Sequence, residues 1–349
     1  MASKKSESSD DDPTSSQEDT ILEKKLRASA RMVVRTCMQM RPYENTLIVT
    51  DPHTAQIGQA IYEQASLISE RVLLLMMSPT HQHGDEPPGA VSELMRKQQL
   101  VIAPTRYSLT HTRATRIARN DGARIATLPG ITLDIFTEGG MTADFDRLKE
   151  EITQVGSRLK RRRNIKITSE AGTDVEFEVE HRRWKLEDNG ICNRPSQVTN
   201  LPAGKIFTMP KEGTMNGKLV IDGSWDSTLL EEPLILNVKD GLVTSVEGGQ
   251  GLADIVEETY ERASERLKPK EKELVWTVAE FGFGMNPKAR LIGNVLEDEK
   301  VKGTCYLAIG DNTALGGNSR VGIHITGVMK EPTIHLDEMV LLQAGEVAE

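Results

Sequence analysis

The sequence predicts an α/β fold in which an N-terminal open parallel sheet flanked by helices precedes a strand-rich α+β segment. Three observations carry this reading. Strand-like apolar runs alternate with helically periodic stretches between Leu47 and Thr127. Short alternating runs replace that rhythm after a long amphipathic stretch from Asp144 to Arg163. Lys239-Asp240-Gly241 then joins two such runs, and Asp-Gly readily supplies hairpin-turn geometry. At 349 residues the chain exceeds the usual size of one compact domain. The expected division is an acidic, disordered tail over 1–17, an α/β domain over 18–163, and a strand-rich domain over 164–349 carrying the active site.

Taken in order, the tail is rich in Ser, Asp, Glu and Lys and has no apolar periodicity that burial could use to offset ordering entropy. Helical spacing runs from Leu22 to Met40, before Pro42 and Asn45 punctuate the chain. A strand at Leu47 to Val49, a helix over 54–68, a strand at Val72 to Leu75, a helix over 89–98 and a strand at Leu100 to Ile102 form a β-α-β-α-β series. A helix over 113–120 and a strand at Arg124 to Thr127 extend it, so a parallel sheet is the economical architecture. Beyond Arg163, strands are expected at Ile165 to Thr168, Val175 to Val179, Lys218 to Ile221, Leu234 to Val238 and Leu242 to Val246. A helix over 251–268 precedes strands at Leu274 to Val278, Cys305 to Ile309 and Gly322 to Ile325.

Composition excludes several classes of function. The net charge of −9 does not favour phosphate-backbone binding, and the basic run Lys160 to Arg163 is read as cations complementing a helix C-terminus. No nucleic-acid partner is therefore expected. The apolar run Val72 to Met77 is too short to span a bilayer, and the N-terminal stretch lacks the apolar core of a secretory signal. No membrane partner and a cytoplasmic location are expected. The three cysteines, Cys37, Cys192 and Cys305, form no Cys-x-x-Cys pair, which leaves a zinc knuckle or redox centre without support. The glycine-rich runs 246–251 and Phe281-Gly282-Phe283-Gly284 lack a complete phosphate-cradle spacing and read as backbone turns.

Candidate chemistry concentrates in the C-terminal third. Glu280 lies among Val278, Ala279 and Phe281, where a buried carboxylate requires a cation or donors. Glu297, Asp298 and Glu299 share a predicted helix, while Tyr306 and His324 fall on predicted strands. Carboxylate and imidazole suit zinc, iron or manganese, although no His-Glu-x-x-His spacing fixes a geometry. His335 and Asp337 fit the solvated face of a strand, and His81 and His83 a polar loop. Ser108 and His111, in Tyr107-Ser108-Leu109-Thr110-His111-Thr112, fit helix entry better than a nucleophile pair, because the sequence identifies no third orienting group.

Several longer motifs occur in order: the 107–112 stretch, Gly-Ala-Arg-Ile-Ala-Thr-Leu-Pro-Gly at 122–130, and Asn-Leu-Pro-Ala-Gly at 200–204. Ala-Glu-Phe-Gly-Phe-Gly-Met-Asn-Pro at 279–287, Gly-Asn-Val-Leu-Glu-Asp-Glu-Lys at 293–300 and Leu-Ala-Ile-Gly-Asp-Asn at 307–312 follow. Together they resemble the thermophilic metalloaminopeptidase family, of the aminopeptidase T and S type, over nearly the whole chain after the tail. The resemblance implies a metal-activated water held by two divalent ions and a homodimer. Of the family's five ligand positions, Glu280 and His324 match; Lys205, Tyr306 and Thr326 occupy the other three, and Thr313 stands where the family has a catalytic tyrosine. An ammonium at Lys205 can itself neutralise Glu280.

The expectation is an aminopeptidase-like hydrolase acting on a peptide or small molecule. Its candidate catalytic residues are Glu280, Tyr306 and Lys205, and its candidate metal ligands are Glu280 and His324. At most one divalent ion, zinc, cobalt, manganese or iron, is expected, and none is an alternative. A second reading arises because the dihydroxypyridine ring-cleaving dioxygenases resemble the same fold and use one iron held by two histidines and an aspartate. Glu280 stands at one of those histidines and Thr326 at the aspartate. A third is a non-catalytic binding protein that keeps the cleft.

Overall fold

The computed structural model describes residues 13–180 and 183–348. Helix α1 (Pro13–Arg31) leads through π-type turns over Met32–Cys37 into β1 (Thr46–Thr50). Then come α2 (Ala55–Ser66), β2 (Val72–Met76), α3 (Gly89–Arg96), β3 (Leu100–Thr105), α4 (Arg113–Asn120) and β4 (Arg124–Pro129). Leu26 and Ala30 of α1 are buried and its start lies within the segment expected to be tail; residues 1–12 lie outside the described residues. Thr112 caps α4, its hydroxyl accepting from the Thr115 backbone N–H at 3.1 Å, so the threonine before Arg113 starts that helix.

Two helices follow, the short α5 (Leu133–Thr137) and the longer α6 (Phe145–Arg158), the second capped by Asp144. Helix α6 stops before the basic run, where Arg161 adopts a positive φ of 67°, so that run is a turn and not the last helical residues. The chain continues with β5 (Asn164–Thr168), β6 (Asp174–Glu178), β7 (Val198–Asn200), β8 (Lys205–Thr208), β9 (Asn216–Ile221), β10 (Ser224–Trp225) and β11 (Thr228–Leu229). The expected hairpin is β12 (Leu234–Lys239) and β13 (Leu242–Gly248), with Asp240 and Gly241 both at positive φ. Then follow α7 (Leu252–Glu265), β14 (Val278–Gly284), α8 (Val295–Asp298), β15 (Thr304–Gly310), β16 (His324–Lys330), β17 (Thr333–Leu336), β18 (Met339–Gln343) and β19 (Glu346–Val347).

These strands form three sheets. The parallel sheet has the order β2-β1-β3-β4-β7, so its fifth strand comes from beyond the boundary expected near residue 163. A six-stranded antiparallel sheet runs β11-β10-β16-β15-β14-β8, and an eight-stranded one β13-β12-β9-β6-β5-β17-β18-β19. The expected α/β class, parallel sheet first and strand-rich segment second, is the fold observed. Residues Leu274 to Trp276 depart from expectation: they lie in a 3-10 turn, where Trp276 stacks on Tyr260 at 4.5 Å, and β14 begins only at Val278. Among the described residues no helix is long and apolar enough to cross a membrane.

Candidate active site

Strand register brings the candidate residues onto one face. Lys205 pairs with Gly284, Phe207 and Tyr306 with Gly282, Ala308 with both Glu280 and Thr326, and His324 with Gly310. Directly paired residues project to the same side of a sheet, so Lys205, Glu280, Tyr306, Thr326 and His324 share a face. Phe281 and Phe283 project to the opposite side, packing edge-on against Trp184. Of the glycines read as turns from sequence, Gly249 and Gly251 do lie in a turn, whereas Gly282 and Gly284 are strand residues with a steric role. A Cβ on Gly282 would lie 2.5 Å from the Tyr306 ring, and one on Gly284 2.0 Å from the Val301 carbonyl oxygen. Their bare backbones let the tyrosine lie flat on β14 and let the chain after α8 approach closely.

On this face stands a closed ionic network. The Lys205 ammonium lies 3.2 Å from Glu280 Oε1 and 2.6 Å from Glu299 Oε2, and sits over the rings of Phe207 and Tyr306 at 4.6 and 4.8 Å. Tyr306 donates its hydroxyl to the same Glu280 Oε1 at 2.5 Å. Glu299 also accepts from Thr326 at 2.9 Å and from Lys300 at 3.3 Å. Burial opposes the charge on Lys205, but Glu280, Glu299 and Asp188 outweigh it and raise its pKa, so it is an ammonium and not a nucleophilic amine. Burial likewise works against ionised Glu299, yet Lys205 and Lys300 hold its pKa well below the ordinary range. Burial first, then the Glu280 charge, pushes the Tyr306 phenol up, so it remains a neutral donor.

Glu280 Oε2 has no protein partner among the described residues and is not a sealed atom, so it is the carboxylate oxygen open to solvent or a ligand. His111, from the loop before α4, lies within electrostatic reach of Glu280 and His324. It is solvent-accessible, but desolvation lowers its pKa; His324 lowers it further while Glu280 opposes, so the fields of both residues reach it. His324 is exposed and its Nδ1 lies 2.8 Å from the Asp311 carbonyl oxygen; no hydrogen bond joins it to Glu280.

The other sequence candidates lie apart. His335 is in β17, Asp337 accepts the Asn164 backbone N–H on its carboxylate at 3.0 Å and donates its own N–H to Asn164 O at 2.8 Å, and His83 accepts from the Ser108 backbone N–H. Glu299 is the partner that sequence reasoning did not single out from its acidic triplet. The missed signal was Lys205 itself, since a cation buried near Glu280 calls for a second counter-charge.

Beneath the network, Asn286 ties the elements together by donating to Gly140 O at 3.0 Å and Ala203 O at 2.8 Å. Glu297 is fully buried, accepting from Gly140 N at 2.9 Å and Arg290 N at 3.1 Å, while its Oε2 has no partner among the described residues. Desolvation pushes its pKa up to about 7 against these two donors. Between the unfolded value of 4.5 and that point, the folded state holds a proton the unfolded chain has released, so stability falls as pH rises across the window. The total is on the order of 3 kcal/mol. Urea midpoints measured near pH 5 and near pH 8 should therefore separate in the native chain and draw together in Glu297→Gln; equal midpoints in the native chain would refute this assignment.

No group of three or more His, Cys, Asp or Glu side chains capable of holding a metal occurs among the described residues. Glu280 and Glu299 are spanned by an ammonium, Thr326 bonds to Glu299, and His324 stands off. These residues do not fit the two-histidine, one-aspartate iron set, nor the two-ion set of an aminopeptidase.

An α/β scaffold that gathers ionic and titratable side chains on one sheet face is an arrangement enzymes use, and the chain's relatives place it among them. The sequence model of NicX, 2,5-dihydroxypyridine 5,6-dioxygenase, matches residues 55–349, and the chain belongs to that family. The 2,5-dihydroxypyridine 5,6-dioxygenase of Pseudomonas putida is 24% identical over 213 residues, 57% of this chain and 58% of that protein. The aligned stretch thus spans little more than half the length of that relative. The solved 2,5-dihydroxypyridine dioxygenase structure from Pseudomonas putida KT2440 superposes with a TM-score of 0.78 at 17% identity, covering 93% of this chain and 97% of that one. AmpT from Thermus thermophilus superposes at 0.67 and 14% identity, over 94% and 100%.

The aminopeptidase likeness read from sequence therefore holds for the fold, while the hydrolase and aminopeptidase assignment is overturned by the family match and by the Pseudomonas relative. The motifs behind it are largely scaffold: Asn286, Gly204 and the segment around Glu297 pack the sheets against one another. Within the dioxygenase family a single divalent metal, iron included, is the most that is consistent.

Proposed function

We propose that the chain is a small-molecule enzyme of ring-cleaving dioxygenase type, acting on a small hydroxylated N-heteroaromatic ring. The observation that carries this reading is the unpartnered, solvent-accessible Glu280 Oε2 held beside the Lys205–Tyr306 network, inside the span matched by the family. A carboxylate oxygen so placed accepts a ring hydroxyl or N–H, and fixed neighbours keep it aligned: Lys205 and Tyr306 both hold its twin oxygen. Removing the hydroxyl proton makes the ring electron-rich. Adding both atoms of O2 while one ring carbon–carbon bond breaks balances without an external reductant, the electrons coming from the ring.

Two assays on the purified chain test this. Loss of 2,5-dihydroxypyridine absorbance with equimolar oxygen uptake is the expected result, alongside no release of anilide from an aminoacyl anilide. Hydrolysis of the anilide, together with failure of the ring compound to bind or react, would overturn the reading.

A further inference from the structure

We propose that Lys205 is a built-in cation that takes the place of a divalent metal between Glu280 and Glu299, so that this site binds its ligand with the protein's own charge and admits a metal only when Lys205 is removed. The inference rests on the reading of this cleft as the functional site and concerns what neutralises it.

The geometry supplies the argument. The Lys205 and Lys300 ammoniums stand among the carboxylates Glu280, Glu299 and Asp188, Lys205 bridging the first two. A divalent ion bridging the two carboxylates would meet Lys205, which already contacts both, and like charges in contact repel strongly where water is scarce. An ammonium has three donors; Lys205 directs two at the carboxylates and lies over two aromatic rings, whose faces attract a cation. Its place is therefore fixed by four contacts and is not a chance approach of a flexible chain. The neighbours are matched to it: Tyr306 and Thr326 are neutral donors, and each bonds to one of the two carboxylates, adding no charge. The remaining accessible acceptor, Glu280 Oε2, is left for a donor on the ligand, not for a metal held by several side chains.

Elemental analysis and calorimetric titration with Mn2+ and Fe2+ under anaerobic conditions test this without any assay of turnover. The native chain should hold far less than one equivalent of metal, and Glu280→Gln should not change that content. Lys205→Met, which keeps the apolar stem, leaves two carboxylates facing each other and should raise Mn2+ affinity by about 100-fold. Lys205→Arg, which keeps the charge, should stay metal-free, and it preserves the comparison should the methionine variant fail to fold. A native chain purified with one equivalent of tightly held metal that is lost in Glu280→Gln would overturn the proposal. So would a folded Lys205→Met whose Mn2+ affinity is that of the native chain. If the ring compound is not turned over yet these metal results hold, the functional reading fails and the built-in cation stands.

Discussion

Glu280→Gln is expected to lower kcat/KM on the ring substrate by about 100-fold to 10,000-fold, the range by which a positioned acid–base group accelerates proton transfer. Glutamine keeps the shape of the side chain, and its Oε1 can still receive the Tyr306 hydroxyl and the Lys205 ammonium. What it loses is the basic oxygen at the cleft. The loss should fall on both kcat and KM, because the amide NH2 that then faces the ligand neither accepts its hydrogen bond nor takes its proton. Circular dichroism and the denaturation midpoint report whether the fold is kept. A folded variant with native kcat would show that Glu280 takes no part in the reaction.

Replacing Arg124 by methionine should cost about 3–5 kcal/mol of stability, as breaking a buried ion pair from one side typically does. Its guanidinium donates to both oxygens of Glu44 at 2.7 Å, to Cys192 O at 2.8 Å and to Met38 O. Both charged side chains are buried, at 4% and 6% exposure. Arg124 begins β4, Met38 follows the π-type turns after α1, and Cys192 precedes β7, so one side chain joins three separated stretches of chain. The variant strands the Glu44 carboxylate, which keeps only the Arg41 backbone donor at 2.9 Å. Urea denaturation measures the loss, and the double variant Arg124→Met with Glu44→Leu should recover part of it, since no charge is then left buried alone. A loss below about 1 kcal/mol for the single variant would place the pair among ordinary surface salt bridges.

The family assignment corrects a specific inference from sequence. Asn-Leu-Pro-Ala-Gly at 200–204 and the 293–300 motif pointed to an aminopeptidase because they build a scaffold that AmpT and the Pseudomonas dioxygenase both superpose on. Gly204 shows why such a motif tracks fold and not reaction: at φ 128° a Cβ there would lie 2.7 Å from Asn286 Cβ, so the glycine answers to packing. Activity resides in a handful of side chains that can change while the scaffold persists.

What the sequence determined by itself was local. Alternation and 3.6-residue spacing placed β1 to β4 and α2 to α4 within two residues, apart from the end of β3, which runs three further, because each of these elements buries one stripe or run of its own residues. Asp240-Gly241 specified its hairpin through the positive φ that both residues tolerate. The lysine, tyrosine and threonine at 205, 306 and 326 were legible as departures from a family's ligand pattern. Tertiary structure alone decided what those departures do. Register between β8, β14, β15 and β16 set five distant side chains on one face, the bare backbone of Gly282 made room for the Tyr306 ring, and α8 delivered Glu299 to Lys205. His111 came to Glu280 and His324 from the opposite end of the sequence. Such pairings depend on strand register and sheet packing, which sum small contributions over many residues far apart in the chain, and no local pattern encodes where that sum will bring two charges together.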